Sequence, residues 1–409
     1  MTIELPEEWE KTTVGTTLAK MTGGGTPSRK DPSYWGGDIP WATVKDLKGI
    51  ILNQTEETIT QVGLQSSASN IIPKNTIIIA TRMAVGKAVR FTQDVAINQD
   101  LRALFPRSDV SVDFLHHWLI ANASMFSSMA TGTTVKGIRQ EVLRALEILL
   151  PPLSEQKRIA EVLSSVDDAI RATQAMIEQT RTVKKGLLQM LLTQGLGHTK
   201  FKPSPLGPIP ETWELAPASE LCKTISVGIV IKPAQYYTDT GIRAFRSANV
   251  REGFIEDHKW VYLTEEGHAR NAKSTLKTGD VLVVRSGYTG TSCVVTEEFD
   301  GCNCIDIIFA RPKPDLIDSS FLSDFINSPL GRMQVLKAEG GLAQKHFNVT
   351  ELKKMLVPIP DLNEQKALAR HLSDCFETQK KNEQKLTQLH TLKSGLMSDL
   401  LTGRVRVKS

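Results

Sequence analysis

Long apolar runs are missing from this chain. No stretch approaches the roughly 18–20 residues that span a bilayer, so a helical membrane protein is excluded. Cysteine is sparse: Cys222, Cys293, Cys302, Cys304 and Cys375 all lie in the second half. An odd number without regular spacing argues against a disulfide framework. Cys302-Asn303-Cys304 is too close for the usual zinc pair, and His116-His117 and the other six histidines lack metal-ligand spacing. The thiols therefore read as reduced, in a cytoplasmic protein. A basic-apolar leader pattern is missing too: Met1–Glu10 carries four acidic residues, and export is not expected. Charge of one sign is not in large excess. The 49 basic and 45 acidic residues give a net charge of +4. Residues 1–204 hold 23 basic and 20 acidic residues, and the remainder 26 and 25. A polyanionic partner would need cations gathered locally on one face. A Gly-x-x-x-x-Gly-Lys phosphate loop is also missing.

What the chain has is a repeat. Its 409 residues allow two or three domains, and Leu5-Pro6-Glu7-Glu8-Trp9-Glu10 returns as Ile209-Pro210-Glu211-Thr212-Trp213-Glu214, 204 positions later. Leu153-Ser154-Glu155-Gln156-Lys157 returns as Leu362-Asn363-Glu364-Gln365-Lys366, 209 positions later, and the offset then stays fixed. Each half has a divergent front of about 150 residues and a better-matched tail of about 45. This period is too long for a solenoid and reads as a duplicated domain pair. Such a chain can form an internal pseudo-two-fold that imitates a symmetric dimer. Gene duplication without functional meaning is the alternative.

The tails read as long helices. Pro151-Pro152, and Pro358 with Pro360, close the fronts, and Ser154 and Asn363 suit N-cap positions. Ile159, Leu163, Val166, Ile170, Ile177, Leu187 and Leu191 then fall at heptad-like spacing. At the fixed offset they become Leu368, Leu372, Cys375, Gln379, Leu386, Leu396 and Leu400. Gly195 and Gly403 stand where helices stop. Each helix should run about 38 residues, roughly 57 Å. Antiparallel pairing is expected, with a seam made polar in its middle by Thr173, Thr180, Lys184, Gln379 and Asn382.

In the fronts, Asn75–Ala80 and Gly279–Val284 are β-rich runs leading to turns at Val85-Gly86-Lys87 and Thr289-Gly290-Thr291. A helix should follow near Val112–Met129, with a counterpart near Ser320–Leu336. The fold expected is α+β: two domains with curved, mixed sheets, separated by two long antiparallel coiled-coil helices. The expected boundaries are 1–150, 151–200, 201–359 and 360–409.

The ordered motifs resemble a known family. A Trp near the start of each half is followed by Gly24-Gly25-Thr26-Pro27-Ser28, Gly37-Asp38-Ile39-Pro40-Trp41 and Ile97-Asn98-Gln99-Asp100. A Thr/Gly-rich loop at Thr131–Gly137 precedes Pro-Leu-Ser-Glu-Gln-Lys at the mouth of a long helix. This set, over nearly the whole chain, resembles the specificity subunit of Type I restriction–modification enzymes. The second half departs from it, with Val227-Gly228-Ile229-Val230-Ile231-Lys232 in place of Gly-Gly-Thr-Pro-Ser. The resemblance implies that each front is a target-recognition domain reading one half of a split, asymmetric site on double-stranded DNA. It implies that the helices set the gap between half-sites. Two methyltransferase subunits would dock on this scaffold, joined by restriction (nuclease–translocase) subunits. No cofactor is expected on this chain; S-adenosylmethionine, ATP and Mg would sit on partner subunits.

DNA binding needs cations for phosphates and polar groups for base edges. The candidates in the first front are Thr26, Ser28, Arg29, Lys30, Lys45, Arg82, Lys87 and Lys136. In the second they are Lys232, Arg246, Arg285, Tyr288 and Lys345. Lys136 and Lys345 correspond at the offset of 209, which suits phosphate positioning. Any one of these is also an ordinary surface residue. Glu155, Gln156, Lys157, Glu364, Gln365 and Lys366 read equally as partner contacts or as a first helical turn. Trp41 and Trp260 read as core more readily than as base-stacking platforms.

Two rival functions are weaker. Asp31-Pro32-Ser33-Tyr34 resembles the Asp-Pro-Pro-Tyr motif of DNA amino-methyltransferases, but its third residue is wrong, and Gly23-Gly24-Gly25 lacks the preceding apolar strand a nucleotide loop needs. No Glu-x-Lys nuclease pattern follows a suitable acid either, so no catalysis is expected of this chain. A coiled-coil adaptor that binds only protein explains the helices, yet leaves two large divergent fronts without a purpose.

Overall fold

The computed structural model describes residues 6–132, 136–339 and 347–407. Two compact units emerge: Met1–Gln174 with Lys385–Ser409, and Ala175–Gln384. Each unit therefore takes one front and half of each long helix, so the division cuts through the helices and not at their ends.

In unit 1 a five-stranded sheet runs in the order Leu18–Gly23, Leu101–Pro106, Ile77–Ala80, Ala88–Phe91, Ile51–Leu52. A second sheet runs Glu57–Ile59, Trp35–Ala42, Val95–Ile97, Asn70–Ile72. Unit 2 repeats the plan with one strand fewer. Its first sheet is Cys222–Val227, Ile307–Pro312, Val281–Val284, Ser292–Val294. Its second is Tyr237–Thr238, Val261–Leu263, Ile242–Phe245, Asn303–Cys304. The sheets are mixed: most pairs are antiparallel, but Trp41–Ala42 and Ala244–Phe245 each pair in parallel, with Ala96–Ile97 and Asn303–Cys304. The central strands Ile77–Ala80 and Val281–Val284 are buried throughout, which is why their sequences are unbroken apolar runs. Each front is closed by pairing its first strand with its last, Glu10–Thr13 with Glu147–Leu150 and Glu214–Pro217 with Leu356–Ile359.

Helix α1 (Val112–Ala121) and helix α3 (Ser319–Asn327) follow the sheets. Each expected helical stretch is present but broken in two, continuing as Ala123–Ser128 after α1 and as Pro329–Glu339 after α3. Asn122 turns its side chain back onto the Trp118 carbonyl and ends α1. Pro329 forces Ser328 into an extended conformation and ends α3.

Helix α2 (Leu153–Gln194) and helix α4 (Leu362–Leu400) are 42 and 39 residues long. Both begin one residue before the expected caps. At α4 the capping side chain is that of Asp361, which accepts from the amides of Asn363 and Glu364 at 2.9 and 3.0 Å. Within unit 1, Ile159 and Leu163 of α2 share a core with Leu400 and Leu401. Lys393 reaches Asp167 at 2.5 Å. Within unit 2, Leu188, Leu191 and Leu192 share a core with Leu368 and Leu372, and Arg181 meets Glu383 at 3.2 Å. Rising numbers on one helix meet falling numbers on the other, so the segments are antiparallel in each unit. Gly195 and Gly403 end the helices with φ of +67° and +74°, values that favour glycine.

Candidate nucleic-acid interface

In unit 1 the strands Ile77–Ala80 and Ala88–Phe91 are joined by a tight connection across residues 81–87. Gly86 (φ +87°) closes it by donating its N–H to the Ala80 carbonyl at 3.0 Å. This connection carries Arg82 and Met83 outward. The Met83 amide donates to the Lys136 carbonyl at 2.9 Å, and Arg82 pairs with Gly137, so Lys136 stands beside Arg82. The Arg82 guanidinium lies 3.9 Å from Asp100, whose neighbour Gln99 accepts from the Thr26 hydroxyl at 2.5 Å. Thr26, Gln99, Asp100, Arg82 and Lys136 thus form one polar rim.

The Thr26–Lys30 loop springs from a close backbone approach. A Cβ on Gly24 would sit 1.8 Å from the Ile97 carbonyl oxygen, so only glycine fits. Beyond it the loop is pinned from inside. Trp41 donates its indole N–H to the Gly25 carbonyl at 3.1 Å, and Trp35 donates to the Ser28 carbonyl at 3.1 Å. The Ser28 hydroxyl accepts from the Lys30 amide. Arg29 holds Glu57 through two hydrogen bonds, one of 2.8 Å, and stacks 3.7 Å from the Trp35 ring centre. The Arg29 hydrogen bond holds the Glu57 carboxyl below its ordinary range. Lys45 lies in the Thr43–Leu47 turn and helps to hold the Glu57 carboxyl down, and Lys87 donates to the Leu47 carbonyl of that turn at 3.3 Å.

Unit 2 reproduces this frame with other side chains. A Cβ on Gly228 would lie 2.2 Å from the Cys304 carbonyl oxygen, so Gly228 is the counterpart of Gly24 at the 204 offset. The departure from Gly-Gly-Thr-Pro-Ser is therefore a change of loop content on a kept anchor. Val230 and Ile231 are exposed there, Ile231 at 76%, followed by Lys232 in a left-handed conformation. Gly290 (φ +75°) closes the strand connection as Gly86 does. Arg285 at its base meets Asp306 at 2.6 Å, while the Asp306 amide donates to the Ile229 carbonyl. Tyr288 at its tip is 82% exposed. Arg246 follows Phe245, whose carbonyl accepts from the Ile305 amide, and donates to the Lys259 carbonyl at 3.1 Å. Lys345 lies outside the described residues.

The structure gives the repeated Glu-Gln-Lys motif an internal role for its first two residues. Glu155 accepts from the Trp9 indole, from Arg406 through both oxygens at 2.8 and 2.9 Å, and from the Val407 amide. Burial pushes its carboxyl up, but these donors outweigh burial and hold it below the ordinary range. Glu364 accepts from the Trp213 indole, from His198 and from the Leu196 amide. Gln156 and Gln365 are buried and tie the helix starts to the amides of Ser111 and Asp318. Of these six residues only Lys157 and Lys366 are exposed.

The other singled-out residues are also accounted for. Trp41 is core, and Trp260 packs on Phe245 and Phe299 while donating to Asp257. Asp31 accepts from Ser33 and caps the turn Pro32–Tyr34, an ordinary structural use of that motif. Among the described residues no group of three or more His, Cys, Asp or Glu could hold a metal ion, and no helix is long and apolar enough to cross a membrane. Reading the sequence missed Gln99, Asp100, Met83 and Asp306 as rim residues. Gln99 and Asp100 stood inside a quoted motif, but nothing local indicated that they face Thr26 and Arg82.

Comparison with known proteins places this architecture. A family model described as the Type I restriction modification DNA specificity domain matches residues 6–180 and again 210–391. The Type I restriction enzyme MjaVIII specificity subunit of Methanocaldococcus jannaschii is 26% identical over 426 residues, covering 100% of this chain and 95% of its own. The EcoR124I/EcoR124II specificity subunit of Escherichia coli is 30% identical over 167 residues, 39% of this chain and 41% of that one. The S subunit of the M. genitalium Type I system shares the fold, with a TM-score of 0.62 at 15% identity, covering 98% of each chain. A chain from a structure explaining complex assembly and conformational transition of the type I R-M system has a TM-score of 0.58 at 16% identity, covering 98% of this chain and 100% of that one. With both halves matched, this chain belongs to the Type I restriction–modification DNA specificity family.

Proposed function

We propose that this chain is the sequence-specificity subunit of a Type I restriction–modification complex and reads a bipartite, asymmetric DNA site, one front per half-site. The observation that carries this reading is the pairing of a kept frame with changed loops. Gly24 and Gly228 anchor the same backbone crossing, and Gly86 and Gly290 close the same connection. The side chains these segments present differ: Thr26, Arg29 and Arg82 in one unit, Ile231, Lys232, Arg285 and Tyr288 in the other. A scaffold that only bound protein would have no need of one frame with two contents. A reader of two unlike half-sites needs that arrangement, because direct readout depends on which groups meet each base edge.

The chain supplies recognition and no catalysis. Two methyltransferase subunits and restriction (nuclease–translocase) subunits would assemble on it in the cytoplasm. S-adenosylmethionine, ATP and Mg would belong to those partners. Helices of 42 and 39 residues, about 60 Å at 1.5 Å per residue, are long enough to fix an interval between half-sites. Inserting one heptad into either helix should widen the gap and leave both half-sites unchanged.

The test is to map methylated bases genome-wide in cells carrying an active methyltransferase partner, with and without this gene. A split, asymmetric motif appearing only with the gene is expected. If the partner is active and bound to this chain yet no gene-dependent motif appears, the protein-binding adaptor is the better reading.

A further inference from the structure

Among the exposed large side chains of each front, one stands at the tip of the connection between the two central strands. Tyr288 is 82% exposed and Met83 is 63% exposed. Both sit in the seven-residue connection between the two central strands, 81–87 and 285–291, Met83 one place earlier than Tyr288 in the repeat frame. Single exposed apolar residues are ordinary, but two features set these apart. Both stand near the tip of the same connection, which the shared Gly86 and Gly290 close. Each connection also carries a cation: Arg82, beside Lys136, next to Met83, and Arg285, paired with Asp306, three residues before Tyr288. Met83 is held at φ +61°, a conformation that non-glycine side chains rarely adopt. Glycines on either side fix the Tyr288 tip, Gly287 at +84° and Gly290 at +75°. Each tip carries a large side chain at its point and a cation at its base.

Resting on the recognition reading above, we propose that these tips are wedges. Tyr288 and Met83 enter the stack of their own half-site and open a single base step, while Arg285 and Arg82 hold the flanking backbone or base edge. Apolar side chains inserted between base pairs unstack and kink a duplex, and flexible pyrimidine–purine steps yield most readily. Each front would then read deformability at one step in addition to base edges. Tyr288 brings an aromatic face that can stack on the opened step. Methionine brings a flexible chain that fills it.

The test uses the full chain with its methyltransferase subunits on a duplex carrying the mapped site. The adenine analogue 2-aminopurine, which brightens when unstacked, is placed in turn at each half-site position other than the methylated base. Wild type should raise its fluorescence severalfold at one step in each half-site. Tyr288→Ala should abolish the signal in one half-site only, Tyr288→Phe should keep it, and Met83→Ala should abolish it in the other. Tyr288 is exposed, so these variants will fold, and partner assembly is checked by gel filtration. Specific binding with no signal at any step, or a full signal from Tyr288→Ala, would overturn the wedge and leave recognition standing. Equal affinity for matched and scrambled duplexes would overturn both.

Discussion

The two units share a backbone plan but neutralise the junction between front and long helices in different ways. Ser111 and Asp318 cap α1 and α3, and their amides meet Gln156 and Gln365 identically, so His117 and Asp324 occupy equivalent positions. In unit 1, His117 contacts the Ser164 hydroxyl at 3.1 Å and lies 3.8 Å from Asp167, which pairs with Lys393. Unit 2 keeps the lysine as Lys184, the counterpart of Lys393, but Phe376 replaces the aspartate. Lys184 lies 3.6 Å from the Phe376 ring centre and 3.3 Å from Glu252, which comes from the front. Burial pushes the His117 imidazole down to about 4 and the Asp324 carboxyl up to about 8, with Lys184 opposing the latter and Asp318 and Glu252 adding to it. One frame thus tolerates a neutral base or a neutral acid at the same place. Backbone crossings are kept by geometry; buried charge needs only to be balanced, and several residue sets can balance it.

The largest effect is expected where the units agree. Glu155→Ala should strip partners from Trp9, Arg406 and the Val407 amide at once, leaving a cation without its carboxylate. Glu155 is buried and Arg406 partly so, and a cation left facing the vacated site makes this the costliest of the changes. Glu364→Ala should cost less, about 1–3 kcal/mol, because no arginine is orphaned. Chemical denaturation with hydrogen exchange resolved by segment measures both. Protection lost at 6–13 in the first variant and at 209–217 in the second is expected. Equal losses would show that Arg406 adds nothing to unit 1.

A second effect separates the units by pH. A raised carboxyl pKa means that folded Asp324 keeps a proton the unfolded chain has lost. Its cost is absent below about pH 4, grows as pH rises, and levels off above about pH 8. Asp324→Asn should therefore stabilise unit 2 by about 2–4 kcal/mol at pH 8 and not at pH 4. His117 works in the opposite sense. Its depressed pKa gives stability that is complete above about pH 6.5 and lost as pH falls toward about 4. His117→Asn should flatten that loss in unit 1. Hydrogen-exchange titrations of the two units that ran in parallel would contradict this assignment.

How much of this was legible in the sequence depends on the range of the interaction. The repeat, the antiparallel helices, the buried central strands and the glycine stops are local or periodic, and the heptad residues Ile159, Leu163, Leu368 and Leu372 are buried as their spacing implies. The Glu-Gln-Lys motif was equally visible, but its role was not, because Trp9 and Arg406 lie 146 and 251 positions from Glu155. The rim was half legible. Arg82, Lys136 and Thr26 could be picked by type, whereas Gln99 and Asp100 join them only when two sheets fold together. Gly228 was hidden because its neighbours changed, while the contact with the Cys304 carbonyl that requires it lies 76 positions away in sequence.

Two smaller effects test the fronts against each other on DNA. Arg82→Ala and Arg285→Ala should each cost about 1–3 kcal/mol on one half-site only, if their paired aspartates, Asp100 and Asp306, orient them toward base edges. Lys136 presents a charge and no fixed fork, so its removal should behave differently. Lys136→Ala should weaken binding by about 1 kcal/mol on matched and mismatched duplexes alike, and lower the slope of log affinity against log salt by about one. Competition binding at several salt concentrations distinguishes the two patterns. If Lys136→Ala instead changed half-site preference with an unaltered salt slope, Lys136 would be a base reader, and the rim of unit 1 would carry specificity on both sides of Arg82.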